Sequence, residues 1–156
     1  MIEAMRPVDW PAVCAIYVEG IAGGNATFET EAPSWELWDA KHLDAPRLVF
    51  TDPNVLGWAA LSRVSPRACY AGVGEVSVYV AVEAQGRGIG SQLLRALVEQ
   101  SEGSGIWTLQ ASIFPENEAS VQLHLRNGFR IVGRRERIAQ LRGVWRDTLL
   151  MERRSV

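Results

Sequence analysis

Several features that would assign a function at once are scarce in this sequence. Its 156 residues include only two cysteines and two histidines, and the formal net charge is -2. Cys14 and Cys69 stand far apart without CxxC spacing, and neither His42 nor His124 is paired with a cysteine in the sequence. A protein-built metal site and a nucleophilic cysteine are therefore not expected. The pattern predicts two reduced, buried thiols.

The sequence also shows no pattern typical of a targeting peptide or a membrane-spanning segment. No stretch approaches the roughly 18 apolar residues that a membrane span needs. Residues 1–10 carry acids and a proline where a signal peptide would carry a cationic and then an apolar segment. Without a basic excess, no global field attracts nucleic acid or anionic lipid. We expect a cytoplasmic protein whose partners are neither nucleic acid nor membrane.

The composition is that of an ordinary globular chain. Hydrophobic residues make up 47% of the sequence and charged residues 22%. A chain of this length can bury a sizeable core without disulfides or a structural metal ion, so one domain over 1–156 is predicted. The six tryptophans lack interleaved basic residues, so we expect them in the core and in pocket walls rather than on a nucleic-acid stacking platform.

Apolar periodicity and turn residues predict an alternation of strands and helices. Asp9 is expected to cap the first helix and Ser34 the second, which Pro46 ends, while 20–33 is predicted to be a loop. Asp52-Pro53-Asn54 supplies the turn of a hairpin. The predicted strands cover 2–5, 47–51, 55–64, 75–82, 106–113, 129–133 and 148–152, and the other helices cover 10–19, 89–102 and 116–126. This order predicts an α/β or α+β domain with a mixed sheet.

The turn Gln85-Gly86-Arg87-Gly88-Ile89-Gly90 lies between a predicted strand and a predicted helix, where a phosphate can meet unpaired helix N–H groups. A P-loop would need Lys-Ser/Thr after the last glycine, but Ser91-Gln92 follows. A dinucleotide site would need a third glycine where Ser91 stands, and an acidic residue at the end of the next strand, but 106–113 contains none. A pyrophosphate held by backbone amides without lysine or metal remains, beside the alternative of a plain glycine-rich connection.

This turn resembles the acetyl-CoA motif Q/R-x-x-G-x-G/A of the GCN5-related N-acetyltransferases (the GNAT superfamily). Further blocks resemble its phosphinothricin acetyltransferase branch: residues 25–30 (NATFET), 75–80 (EVSVYV), 117–120 (NEAS), His124, Gly128-Phe129 and 143–147 (GVWRD). The resemblance implies a twisted, mostly antiparallel mixed sheet with about four helices, acetyl-CoA as co-substrate, no metal, and a homodimer.

The resemblance also implies roles for individual residues. Cofactor-binding positions would be Val78, Tyr79, Val80, Gln85, Gly86, Arg87, Gly88, Ile89, Gly90, Ser91 and Asn117. Glu75 would be the general base and His124 the acid, with Phe28, Glu29 and Tyr70 contacting the acceptor.

The chemistry of amine acetylation asks for the same residue types. An attacking amine must lose a proton, which a carboxylate such as Glu75 can take, and a departing thiolate gains from an acid such as His124. Strand amides at 78–80 can stabilise a developing oxyanion. From the residues alone, Glu75 could equally be a solvated acid, His124 a hydrogen-bonded core histidine, and Asn117 a helix cap.

One position departs from the branch's pattern. Its members carry an arginine just after the tyrosine that corresponds to Tyr70, but here Ala71 follows. An acceptor carboxylate needs a cationic partner, and Arg63 and Arg67 are the cations nearest in sequence. The predicted function is acetyl transfer to a small amino-acid-like amine of the phosphinothricin, methionine sulfoximine or methionine sulfone type. The alternatives are acetylation of a peptide N-terminus or a polyamine, and a non-catalytic acyl-CoA-binding module.

Overall fold

A computed structural model describes residues 1–155. It contains one seven-stranded sheet in the order β1-β2-β3-β4-β5-β7-β6. The strands are β1 (Ile2–Ala4), β2 (His42–Thr51), β3 (Val55–Arg63), β4 (Val73–Val80), β5 (Thr108–Ile113), β6 (Arg130–Leu141) and β7 (Val144–Arg154). The helices are α1 (Trp10–Gly23), α2 (Trp35–Lys41), α3 (Ile89–Gly103) and α4 (Glu118–Arg126). The predicted mixed, mostly antiparallel sheet with four helices is confirmed.

All neighbouring strands are antiparallel except β4 and β5. The chain joins these two strands through α3, as a parallel crossover requires. Their pairing covers only Val73–Glu75 against Thr108–Gln110. Both strands continue past the last pair, and this interruption of the sheet is where the candidate site lies.

Helices cover both faces of the sheet. A Cβ at Gly57 on β3 would meet Leu93 and Ile89 of α3, whereas the next residue, Trp58, packs against Tyr17 of α1. Because successive strand residues point to opposite faces, α1 and α3 lie on opposite sides of β3. Trp38 of α2 contacts Trp58 edge to face at 5.6 Å, so α2 shares the α1 side.

The first helix is longer than predicted. It runs to Gly23 rather than residue 19, and Gly24 ends it in the left-handed conformation, with φ 79°. Gly20 does not break the helix because it is a packing position, where a Cβ would lie 2.7 Å from the Tyr79 ring. Asp9 is the N-cap residue of this helix as predicted, but its carboxylate accepts the N–H of Arg6 at 2.8 Å and makes no capping bond to the helix. The Ser34 cap is confirmed, since its hydroxyl accepts the Leu37 N–H at 3.3 Å.

The last two strands are also longer than predicted. They form a hairpin whose two-residue turn, Arg142-Gly143, has φ values of 49° and 80°. β6 lies at the sheet edge and is almost wholly exposed, so it shows no alternation of apolar and polar residues. The apolar pattern used for prediction is therefore absent where these strands extend.

The burial of the cysteine and tryptophan side chains differs in part from the prediction. Both cysteines are free, but Cys14 is only half-buried and Cys69 is exposed. Trp38 and Trp58 are buried in the core, while Trp107 and Trp145 are exposed. None of the helices in the described part of the chain is long and apolar enough to cross a membrane.

An aromatic cluster anchors α2 to the sheet through His42. This residue is 7% exposed, its ring stacks on Trp38 at 4.1 Å, and its Nδ1–H donates to the Trp38 carbonyl oxygen at 2.7 Å. Burial lowers the pKa of His42 to about 4, and the nearby Lys41 and Arg47 cations lower it further, against the hydrogen bond to Trp38.

This burial predicts an acid-dependent loss of stability. The unfolded chain takes up a proton at His42 near its ordinary pKa of 6.5, but the folded chain does so only near 4. The stabilisation is therefore complete above pH 6.5 and is lost as the pH falls towards 4, by on the order of 3 kcal/mol. Urea unfolding at pH 7.5 and 4.5 should show this difference. An unchanged pH dependence in His42→Gln would contradict the assignment to His42.

Candidate functional site

The candidate site is the gap between β4 and β5. Their last paired residues are Glu75 and Gln110, yet β4 continues to Val80 and β5 to Ile113. A cavity of about 280 Å³ opens there, lined by residues of both strands, the 25–29 loop, α1, α2 and α4. A second cavity of about 540 Å³ follows β4 outward to Val80, Val82 and Gln85. The two cavities adjoin, since their linings share Val78, Tyr79 and Asn117. Together they form a channel along β4 from Gln85, the first residue of the glycine turn, to Glu75.

Backbone groups of β4 face this gap at alternate residues. The Ala81 N–H donates to the Leu56 carbonyl oxygen at 2.8 Å, which fixes the odd-numbered residues of β4 as those bonded to β3. The N–H and C=O groups of Val78 and Val80 therefore point away from β3, where no strand pairs with them. Tyr79, in contrast, has its backbone groups directed at Trp58 of β3. The gap thus offers strand-like hydrogen-bonding groups at two of the three predicted positions.

Tyr79 contributes its side chain to an aromatic wall of the cavity. Its ring stacks on Trp58 at 4.9 Å and on Tyr17 at 5.1 Å, and both tyrosines line the cavity. Burial raises the pKa of both phenols, and the carboxylate of Glu29 raises it further, while a hydrogen bond with Thr27 opposes the shift. Both side chains are therefore neutral hydroxyl groups at physiological pH.

The glycine turn begins α3 as predicted. Gly86 and Gly88 have φ values of 81° and 76°, and a Cβ at either position would meet nothing within 4 Å. Gly88 is the N-cap and provides no side-chain bond, so the first N–H groups of α3 are left for solvent or a ligand. The turn therefore has both the backbone conformation and the open space that an anion needs.

The other residues of the turn make different contacts. Arg87 forms an exposed ion pair with Asp52 at 3.2 Å, and Gln85 lines the outer cavity. Ile89 is buried in the core. A Cβ at Gly90 would lie 3.4 Å from Leu123, so this glycine permits close packing of α3 on α4. The Ser91 hydroxyl accepts a hydrogen bond from the Asn127 amide at 3.3 Å.

Glu75 lies at the closed end of the gap and lines the inner cavity. Its Oε1 accepts a hydrogen bond from Gln110 Nε2 at 3.1 Å, directly across the last strand pair. This contact leaves its second oxygen, Oε2, without a hydrogen bond from the described residues. The carboxylate is thus held in place with one oxygen available to a ligand.

His124 lies on α4 and also lines the inner cavity. Its Nδ1 is 2.7 Å from the Ser120 carbonyl oxygen, which can only accept, so the proton of the neutral ring is assigned to Nδ1. Burial lowers the pKa of His124, against this hydrogen bond. Its Nε2 is buried and has no partner within residues 1–155. The neutral ring therefore carries a lone pair at Nε2 rather than an acidic proton.

Asn117 and the loop preceding α2 close the cavity from the side. Asn117 Oδ1 caps α4 by accepting the Ser120 N–H at 3.2 Å, while its Nδ2 donates to the Asn25 carbonyl oxygen at 3.1 Å. Asn117 lines both cavities, so it combines the predicted cap with a place on the channel. Phe28 lines the inner cavity and contacts Phe114 edge to face at 4.8 Å.

The structure brings together all but one of the predicted acceptor-site and catalytic residues. Glu29 lies in the inner cavity with Phe28, Glu75 and His124. Tyr70 does not: it is 46% exposed, lies beneath the Arg67 guanidinium at 5.7 Å, and lines neither cavity. Its neighbour Ala71 is exposed as well. Among residues 1–155 no cluster of three or more His, Cys, Asp or Glu side chains could hold a metal ion.

Arg146 on β7 ties the cavity loop to the sheet, a role that the sequence did not reveal. Its Nη1 donates to the Gly24 carbonyl oxygen at 3.0 Å, and its Nη2 donates to Asn25 Oδ1 at 2.7 Å. Its guanidinium lies 4.0 Å from the centre of the Phe114 ring, which in turn contacts Phe28. One side chain therefore fixes both the start of the loop and the aromatic pair at its end.

Other cavity residues were also missed. They are Tyr17, Thr27, Lys41, Gln110, Ser120 and Thr148, of which all but Gln110 line the inner cavity directly. Most have unremarkable neighbours in sequence, and only the fold places them together. Only Lys41 stands out in the sequence, because it is the single lysine among 156 residues.

Comparison with known proteins agrees with this geometry. The model of the acetyltransferase (GNAT) family matches residues 10–129. The chain is 35% identical to an L-methionine sulfoximine/L-methionine sulfone acetyltransferase of Pseudomonas paraeruginosa, over 92% of this chain and 88% of the other.

Two solved structures share the fold. One is a ribosomal-protein-alanine N-acetyltransferase from Brucella melitensis, 30% identical over 99% of each chain, with a TM-score of 0.90. The other is a GNAT superfamily phosphinothricin acetyltransferase from Sinorhizobium meliloti in complex with acetyl-CoA. It is 28% identical over 99% of this chain and 88% of the other, also with a TM-score of 0.90.

The Arg146 contacts predict a loss of stability localised to the cavity loop. The Arg146 side chain is only 15% exposed. Arg146→Met should therefore lower the free energy of unfolding by about 2 kcal/mol, because the half-buried Gly24 carbonyl oxygen and the Phe114 ring lose a charged partner that is itself largely buried. Amide hydrogen exchange over residues 24–29 should accelerate. Arg134→Met is the matched control: it removes an exposed pair with Asp147 and should cost clearly less stability than Arg146→Met. Equal effects of the two changes would contradict the assignment.

Proposed function

Because the chain belongs to the acetyltransferase (GNAT) family, we propose that it transfers an acetyl group from acetyl-CoA to the primary amine of a small amino-acid-like acceptor. The observation that carries the proposal is the channel that joins the glycine turn to the Glu75 carboxylate through the gap between β4 and β5. The methionine sulfoximine/sulfone relative and the phosphinothricin relative support this acceptor class by their names.

The residues present fit a pantetheine-linked pyrophosphate. The uncapped start of α3 at Gly88 offers N–H groups to phosphate oxygens, and Gly86 leaves room for them. The free N–H and C=O groups of Val78 and Val80 suit the amides of an extended arm, as an added strand would. Gln85 and Asn117 line the same channel. When bound, acetyl-CoA supplies the acetyl group as a thioester that an amine can attack.

We propose that Glu75 is the general base. An amine of a free amino acid is protonated near neutral pH and must lose a proton to become a nucleophile. The oxygen of Glu75 that Gln110 leaves unoccupied can take that proton, directly or through a water molecule. An N–H group of Val78 or Val80 can donate to a carbonyl oxygen that gains negative charge.

His124 is proposed as the acid, with a condition that its surroundings impose. Its Nδ1–H donates to the Ser120 carbonyl oxygen, so only Nε2 is left to exchange a proton with a bound substrate. This nitrogen carries no proton in the neutral ring, and burial lowers the pKa of the side chain. His124 must therefore first accept a proton at Nε2 before it can donate one to a departing thiolate.

On the acceptor side, we propose that Phe28 and Glu29 contact the substrate from the loop that Arg146 holds. We further propose that the protein acts in the cytoplasm as a homodimer. In one chain Tyr70 lines neither cavity, so its proposed contact with the acceptor requires that a second copy present it.

A second candidate function is acetylation of a protein N-terminus. It is favoured by the similarity to the ribosomal-protein-alanine N-acetyltransferase. The two functions differ in one chemical group, since a free amino acid has a carboxylate beside its amine and a peptide has an amide. Assays of thiol release with L-methionine sulfone, phosphinothricin, polyamines and short peptides separate them.

Glu75→Gln tests the proposed base. The glutamine keeps an oxygen that can accept the Gln110 hydrogen bond but cannot take a proton. We expect kcat to fall by about 100-fold or more, while stabilisation by acetyl-CoA persists at about 2.7 kcal/mol at one hundred times its dissociation constant. Glu83→Gln is the control, because Glu83 is exposed and lines neither cavity.

Undiminished turnover of Glu75→Gln would remove the base assignment. If neither acetyl-CoA nor coenzyme A stabilises the wild-type chain against heat, the assignment of acetyl-CoA as the acetyl donor is excluded. Stabilisation without turnover of any amine would leave a non-catalytic acyl-CoA-binding module.

A further inference from the structure

An amino-acid acceptor brings a carboxylate into the cavity, and that charge needs a partner. The arginine expected after Tyr70 is absent, since Ala71 stands there. Within one chain the neighbouring cations do not replace it, because Arg63 and Arg67 line neither cavity. A single chain must therefore meet the charge from another part of the fold.

We propose that Lys41 binds the acceptor carboxylate and thereby selects a free α-amino acid over a peptide N-terminus or a polyamine. The proposal rests on the proposed function and assigns the acceptor class within it. Lys41 is the only lysine in the sequence, beside fifteen arginines. It lines the inner cavity, and no arginine does. It is thus the one lysine or arginine among the cavity-lining residues.

The backbone of Lys41 is firmly held. It is the last residue of α2, whose first turn is capped by Ser34. The next residue, His42, is buried, stacks on Trp38 and donates to the Trp38 carbonyl oxygen. The side chain alone is therefore free to adjust to a ligand.

The ammonium group of Lys41 is also available. Within residues 1–155 no carboxylate lies within 4.0 Å of it, as is true of half of the sixteen lysine and arginine side chains. Glu29 and Glu75 line the same cavity. An exposed lysine that lines the same cavity as two carboxylates matches a zwitterion, whose amine would turn to the acids and whose carboxylate would turn to the lysine. A polyamine has no group for Lys41 and would be repelled by it.

Two acceptors that differ only in this charge provide the test. L-Methionine sulfone carries the carboxylate, and its α-amide, which resembles a peptide N-terminus, does not. We expect Lys41→Met to lower kcat/KM for the acid by 10- to 100-fold, mainly through KM, because a charge-assisted bond is lost. Activity on the amide should change less than about twofold, and Lys41→Arg should restore part of the preference. Arg63→Met, which removes the same charge outside the cavity, should leave both acceptors unchanged.

A second readout needs no turnover. Because Lys41 is the only lysine, an amine-directed reagent such as an N-hydroxysuccinimide ester labels it and the Met1 amine, which serves as the internal reference. With free coenzyme A present, L-methionine sulfone should protect Lys41 from labelling, and its α-amide should not. The ratio of the two labelled sites is read by peptide mass spectrometry.

Equal losses on the acid and the amide in Lys41→Met, equal protection by both, or a wild-type preference for the amide or for a polyamine would overturn the proposal. The proposed function can fail separately. If the wild-type chain acetylates no amine, that function is lost, and the labelling ratio still decides whether Lys41 binds a carboxylate.

Discussion

The short parallel contact between β4 and β5 is the constraint on which the site depends. Only three residue pairs join these strands, and the sheet is otherwise continuous. Beyond Glu75 each strand stays bonded to its other neighbour, β3 or β7, so neither can fold away. The gap therefore keeps its walls without any bond across it. Val78 and Val80 present backbone groups to it that a sheet would ordinarily satisfy.

The chemistry of the site follows from what borders this gap. The glycine turn stands at the outer end, where α3 starts without a side-chain cap, and Glu75 stands at the inner end, where the strands last pair. A donor that extends along β4 from the turn would bring its reactive end towards the carboxylate. The proposed acceptor side is built from loop and helix residues, with Phe28 and Glu29 on the loop whose start Arg146 ties to β7, and Lys41 at the end of α2. The side of the site proposed for acetyl-CoA thus depends on the sheet, and the side proposed for the acceptor depends on the loop and helix packed against the sheet.

This division explains how much could be predicted from the sequence. Local sequence patterns and the resemblance predict the fold class, the positions of the main elements and the glycine turn. They also single out Glu75 and His124, which both line the inner cavity. Apart from Phe28 and Glu29, the acceptor side could not be predicted in this way, because Lys41 and Thr27 come to line the cavity, and Arg146 to hold its loop, only through tertiary packing. The extent of β6 was missed because an exposed edge strand has no apolar period. Tyr70 was assigned by resemblance, and in a single chain it lies outside the cavity.

The central claim is that the unpaired edge of β4 receives acetyl-CoA as an added strand would be received. Residue-resolved amide hydrogen exchange by NMR, with and without acetyl-CoA, tests it most directly. The N–H groups of Ser77 and Tyr79 already bond to β3 by the strand alternation, so their exchange should change little. Those of Val78 and Val80 face the gap and should become protected, giving a two-residue alternation along the strand. Uniform protection across 77–80, or none at Val78 and Val80 under saturating acetyl-CoA, would contradict this account.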